Sequence, residues 1–234
     1  MRTKFQQGLD ELKQKLLEMG GMAESAVEMA TGAYLRRDAS LCERVFSREK
    51  EINAFERRID ELAIDMLAMQ QPMAIDLRFV VAVLKINADL ERVGDQAVNI
   101  AQRVLDLLKA SPVDVPVDIG RMAGTVSTMV RRALESFLSA HADVAEAVLE
   151  MDNIVDRMKD EAFVTLVQKM KENPAETQHY LDVLLISRNL ERVADHATNI
   201  AEDVIFWVQG SDVRHNVHPE EDESKTPTTR ASGL

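Results

Sequence analysis

Glu91, Asp95 and Asn99 stand at i, i+4 and i+8, and the same residue types return as Glu191, Asp195 and Asn199. On a helix this spacing draws one oxygen-rich stripe. Each stripe lies in a twelve-residue segment that occurs twice. Leu90–Ala101 and Leu190–Ala201 agree at nine positions, 100 residues apart, and Asp203 extends the second stripe. Further acids sit upstream: Asp152, Asp156 and Asp160 at i, i+4 and i+8, and Glu56 and Asp60 at similar places in the first half. If antiparallel helices bring these faces together, each half gathers four or more carboxylates. Without a cation, such a cluster shifts its own pKa values or opens the site. Oxygen-only donors suit magnesium, calcium, manganese or ferric iron rather than thiolate-loving metals. The bland reading stands beside this one. A single acidic i, i+4 pair on a solvated face costs only a few tenths of a kcal/mol.

Other chemistries find less support. A carboxylate-bridged di-iron store or redox protein needs two Glu-x-x-His motifs in a bundle core. Glu176-Thr177-Gln178-His179 fits once, but its counterpart Asp76-Leu77-Arg78-Phe79 carries no histidine. His179 is therefore expected as a helix-start side chain facing solvent or a partner. There is no Walker-type phosphate loop and no Gly-x-Ser-x-Gly. Cys42 has no activating neighbour in sequence, and Trp207 is expected to be a packing residue. Asp76 and Arg78, at the start of a helix, read equally as a partner contact or as groups that cap and pack the helix entry. A third reading of the whole chain is a metal-free helical scaffold.

The elements that must position these residues are helical throughout. Apolar residues recur at helical spacing, as in Ile52, Phe55, Ile59 and Leu62, and no useful strand alternation appears. Breaks divide the chain into helices over roughly 4–36, 40–69, 73–109, 117–141, 144–171 and 175–209. Gln71-Pro72 separates the second from the third. Asn173-Pro174 is expected to start the sixth, with Asn as N-cap and Pro at the first position. Ser111–Pro116 is the natural seam. The expected fold is all-α, two tandem three-helix bundles over 1–110 and 111–210, with a disordered polar tail over 211–234. Read at a constant offset of 100, Asn53, Arg57, Asp60 and Glu61 match Asn153, Arg157, Asp160 and Glu161, and Glu56 meets Asp156. The first helices align with a shift of about three, Met19–Leu35 against Met122–Leu138. Gly20-Gly21 inside a helical pattern costs up to about 1 kcal/mol each, which implies a close crossing or a kink.

Totals narrow the function classes. With 28 basic against 40 acidic residues the net charge is -12, which argues against a nucleic-acid backbone as partner. One cysteine allows no disulfide framework and fits a reducing compartment. The longest purely apolar run, Phe79–Leu84, is far short of a membrane span, so membrane association is expected only through partners.

The chain resembles the PhoU family of bacterial high-affinity phosphate uptake over nearly all of 5–215. The resemblance rests on Met19-Gly20-Gly21-Met22, Asn53 through Asp60-Glu61, and Gln71-Pro72 leading into Asp76-Leu77-Arg78. It extends to both Glu-Arg-Val-x-Asp segments and to Gly210–His215. It implies two similar three-helix bundles with metal clusters on their acidic faces. Iron is the foremost metal, with manganese, magnesium, calcium and zinc also open. Matching positions are Glu91, Asp95, Glu191 and Asp195, with Glu56, Asp60, Asp156 and Asp160 on neighbouring helices and Asn99 and Asn199 adjacent. It further implies a non-catalytic cytoplasmic adaptor, dimeric, that restrains phosphate uptake and the starvation response. The implied partners are the phosphate transporter ATPase subunit and the sensor histidine kinase.

Overall fold

The structure, a computed structural model, describes residues 4–211. The tail expected over 211–234 therefore lies, beyond Ser211, outside the described residues. Six long helices run α1 Lys4–Arg36, α2 Ala39–Gln70, α3 Ile75–Leu108, α4 Ile119–Ser139, α5 Ala142–Glu172 and α6 Thr177–Gln209. Local chemistry sets several ends. Asp38 accepts from the Ser40 amide at 2.9 Å to cap α2, and Asp118 accepts from the Arg121 amide at 2.8 Å to cap α4. Gly210, at φ 76°, closes α6 in the left-handed conformation that glycine adopts without a Cβ penalty. The expected start of α6 differs. Asn173 makes no side-chain cap, and its amide instead closes α5 on the Lys169 carbonyl at 2.9 Å. Pro174 opens a 3-10 turn, Pro174–Glu176, before α6 begins.

Helices α1–α3 form one antiparallel triplet and α4–α6 a second. The triplets meet through α3 against α6 and α1 against α4. Both pairs are antiparallel. Along α3, Phe79, Lys85, Asp89 and Arg103 meet Trp207, Asp203, His196 and Asp182 of α6 in falling order. On the other side Gly20 lies against Leu134 and Glu24 pairs with Arg131. One hydrophobic core runs unbroken through both triplets. Burying each large aliphatic side chain in it contributes roughly 1.5–3 kcal/mol. Trp207 packs as expected, 5.0 Å from Phe79 and 5.5 Å from Phe137, ring centre to ring centre. At Gly20 an added Cβ would stand 2.6 Å from a Leu134 methyl, so this glycine serves a close crossing, while Gly21 has nothing within 4 Å.

The burial pattern corrects the constant 100-residue alignment. In α2 the residues turned to the core are Cys42, Val45, Ile52, Ile59 and Ala63; in α5 they are Ala145, Val148, Val155, Ala162 and Leu166. These correspond at an offset of 103, as do Met19 with Met122 and Ala26 with Met129 in α1 and α4. In α3 and α6 the offset is 100: Leu90, Val93, Ala97 and Ile100 bury as Leu190, Val193, Ala197 and Ile200 do. The difference of three is taken up between α2 and α3. There a four-residue link, 71–74, carries Gln71 and Ala74 at positive φ (46° and 50°), where Asn173 alone separates α5 from the 3-10 turn. The match of Asp60 with Asp160, and of Glu56 with Asp156, is therefore a match of letters and not of places in the fold.

A buried packing detail supports the new alignment. Gly94 lies against Ile52, whose Cδ1 would stand 3.1 Å from an added Cβ. Their equivalents are Ala194 and Val155: one side gains a methyl and the other loses one. Close-packed interiors conserve volume in this way.

Candidate metal centre

The acid faces lie on the outer surfaces α2–α3 and α5–α6, each formed by two antiparallel helices. In the first half, Glu91 and Asp95 of α3 meet Glu49 and Glu56 of α2. Burial, and then the charge of Asp95, push the Glu91 pKa above the ordinary carboxylate range, with Glu56 and Glu49 adding to the same push. Asn53, between the two α2 acids, donates its Nδ2 to Glu49, and its Oδ1 is buried without a partner. Arg92 stands at the rim, 3.5 Å from Glu91 and 3.6 Å from Asp95, with 62% of its side chain exposed.

In the second half, Glu191 and Asp195 of α6 meet Asp152 and Asp156 of α5. Burial, then Asp156, raise Asp152 to about 6, and burial, then Glu191, raise Asp195. Lys159 enters this face. Its Nζ donates to Glu191 at 3.1 Å and to Asp156 at 3.3 Å, and lies 3.7 Å from Asp160. The hydrogen bond to Glu191 is the largest cause of an upward shift of the Lys159 pKa.

Several expected residues thus meet, and others turn elsewhere. Glu56, Glu91 and Asp95 share one face; Asp152, Asp156, Glu191 and Asp195 share the other. Asp60 sits one turn along α2 and accepts from Asn87 Nδ2 at 2.9 Å. Asp160 is turned outward, its side chain 77% exposed. Asn99 donates to Gln96 on its own helix at 3.3 Å, and Asn199 donates across the seam to Asp89 at 3.1 Å, beside the 2.8 Å contact of Asp89 with His196. Glu49, Asn53 and Lys159 were missed. A helical stripe 49, 53, 56, 60 could have found the first two from spacing alone. Arg78 donates to the Trp207 carbonyl at 3.2 Å and packs beside Gly210, so it ties the entry of α3 to the end of α6. Asp76 lies in the first turn of α3, where a carboxylate suits the helix dipole. His179 corrects its expectation: it is buried, and its Nδ1 has no partner.

Among the described residues, no three His, Cys, Asp or Glu side chains close into an ion-holding group. Arg92 and Lys159 each stand beside two of the acids, Glu91 and Asp95 in the first half and Asp156 and Glu191 in the second. The first face has the donor chemistry of a hard-cation site. Four carboxylates, Glu49, Glu56, Glu91 and Asp95, and the buried Asn53 amide oxygen present only oxygen, with the exposed guanidinium of Arg92 at the rim beside Glu91 and Asp95. No helix among the described residues is long and apolar enough to cross a membrane.

Comparison with known proteins gives the lineage. The PhoU domain model matches twice, over residues 16–104 and 119–204. A Pseudomonas putida protein named phosphate-specific transport system accessory protein PhoU homolog is 40% identical over 213 residues, covering 90% of this chain and 83% of its own. A Clostridium acetobutylicum protein of the same name is 32% identical, covering 92% and 99%. The crystal structure of PhoU from Pseudomonas aeruginosa superposes with TM-score 0.86 at 37% identity, covering 89% of this chain and all of that one. The phosphate transport system regulatory protein PhoU from Streptococcus pneumoniae superposes at 0.79 with 25% identity. With two matched domains over most of its length, relatives of high coverage and the same doubled triplet, this chain belongs to the PhoU family.

Proposed function

We propose that this chain is a regulatory accessory of phosphate uptake. The observation that carries the reading is that relatives sharing about nine-tenths of this chain are named accessory proteins of phosphate-specific transport. In this reading it works in the cytoplasm as a non-catalytic adaptor. It docks on the phosphate transporter ATPase subunit and on the sensor histidine kinase, and holds the starvation response down when phosphate is ample. It works as a homodimer. A hard cation on Glu49, Glu56, Glu91 and Asp95 would clamp α2 to α3 and supply positive charge where four carboxylates repel. A switch in output then requires that the cation, phosphate or a partner bind two conformations unequally.

The test is genetic and biochemical. Deleting the gene should release a starvation reporter in phosphate-replete cells. The tagged chain should capture the ATPase subunit and the kinase from the same cells, less so with chelator. A reporter that stays silent after deletion, with phosphate uptake unchanged, would end this reading.

A further inference from the structure

The two acid faces differ in charge at two fold-equivalent positions, Asn53 against Asp156 and Glu56 against Lys159, and the second of these reverses the sign. Across from Glu91 stands Glu56, a like charge that adds to the rise in the Glu91 pKa. Across from Glu191, at the equivalent place 103 residues on, stands Lys159, bonded to Glu191 and Asp156. We propose that Lys159 is a built-in counter-ion. Its ammonium fills the place where a cation would bridge α5 and α6, so the second face is closed by the chain's own charge. Hard-cation binding is then confined to the first face. This inference rests on the cation reading of that face given above.

The physical argument is one of donors and charge. An ammonium is a compact point charge with three N–H donors on a four-carbon stem. Bonded to one oxygen each of Glu191 and Asp156, with Asp160 at 3.7 Å, it stands where a divalent ion would draw on the same carboxylates. An entering ion would meet a positive charge held in place. Lys159 is only 29% exposed and enters from between the two helices, unlike the rim guanidinium of Arg92, which can swing into solvent.

A charge swap tests it. Manganese(II) uptake by the full chain is counted after desalting, and thermal unfolding is followed in EDTA and in manganese. Wild type should lose its bound manganese on Glu91→Gln with Asp95→Asn, and keep it on Glu191→Gln with Asp195→Asn. Glu56→Lys should abolish uptake and raise Tm in EDTA by several degrees. Lys159→Glu should lower Tm in EDTA and add manganese at the second face, which restores Tm. Lys159→Met keeps the packed stem and removes only the charge, so it serves if the glutamate variant does not fold. Equal manganese loss from the Glu91 and Glu191 pairs would overturn the proposal. So would a Lys159→Met chain with unchanged Tm in EDTA. Wild type that takes up no manganese while both EDTA shifts occur would refute the cation reading of the first face and support Lys159 as counter-ion.

Discussion

Asp152 carries its proton to higher pH in the folded chain than a free aspartate does, because burial and the neighbouring Asp156 both disfavour its charge. The folded value of about 6 exceeds the ordinary 3.8, so the folded state binds more protons than the unfolded state between them. Stability from this group is therefore greatest below the ordinary value and is lost as pH rises through about 6. Asp152→Asn should raise Tm of the metal-free chain at about pH 8 and leave it nearly unchanged at about pH 4. Equal shifts at both pH values would show that the gain comes from packing. Glu91 and Asp195 are shifted in the same direction and should add to the same trend. At this scale the repeated Glu-Arg-Val-x-Asp segments were legible, since residue type and spacing are local properties. Glu49 was not, because its importance comes only from the helix that lies opposite.

Each helix pair carries its own fit. Gly94 lies against Ile52 in α2–α3, and the buried residues at the equivalent positions in α5–α6 are Ala194 and Val155. Gly94→Ala alone gains helix propensity worth about 1 kcal/mol but crowds Ile52, and overpacking costs about 1–3 kcal/mol. Combined with Ile52→Val it should be more stable than the sum of the single changes by about 1 kcal/mol, measured by urea unfolding as a double-mutant cycle. Additive effects would place the crowding elsewhere. Helix limits were readable to within a few residues because the apolar period and the breaks at Pro72, Pro174 and Ser111–Pro116 act over one or two turns. The link 71–74 and the 3-10 turn at Pro174 were not. They reconcile two packed helices, and the link does so with Gln71 and Ala74 at positive φ, which their own residue types disfavour.

Across the whole molecule the triplets are joined through α3 and α6. Arg103 reaches across to Asp182, whose side chain is only 3% exposed and also accepts from Gln178 at 3.1 Å. Arg103→Ala leaves that carboxylate buried with one neutral donor, and breaking a buried pair is costly. The expected loss is about 1–3 kcal/mol by urea unfolding, with both triplets unfolding in one transition because they share one core. Two separate transitions would show that the triplets are independent. The amino-acid sequence by itself determined the all-helical class, the doubling, and which residues on α3 and α6 form oxygen stripes, because periodicity and propensity act within one helix. Only the tertiary structure decided which α2 and α5 residues face those stripes. A three-residue difference in the linker moves every opposing side chain to a new place. It sets Glu56 and Lys159, not Glu56 and Asp156, at equivalent positions, since the setting of one helix against another follows from packed volumes and not from residue numbers.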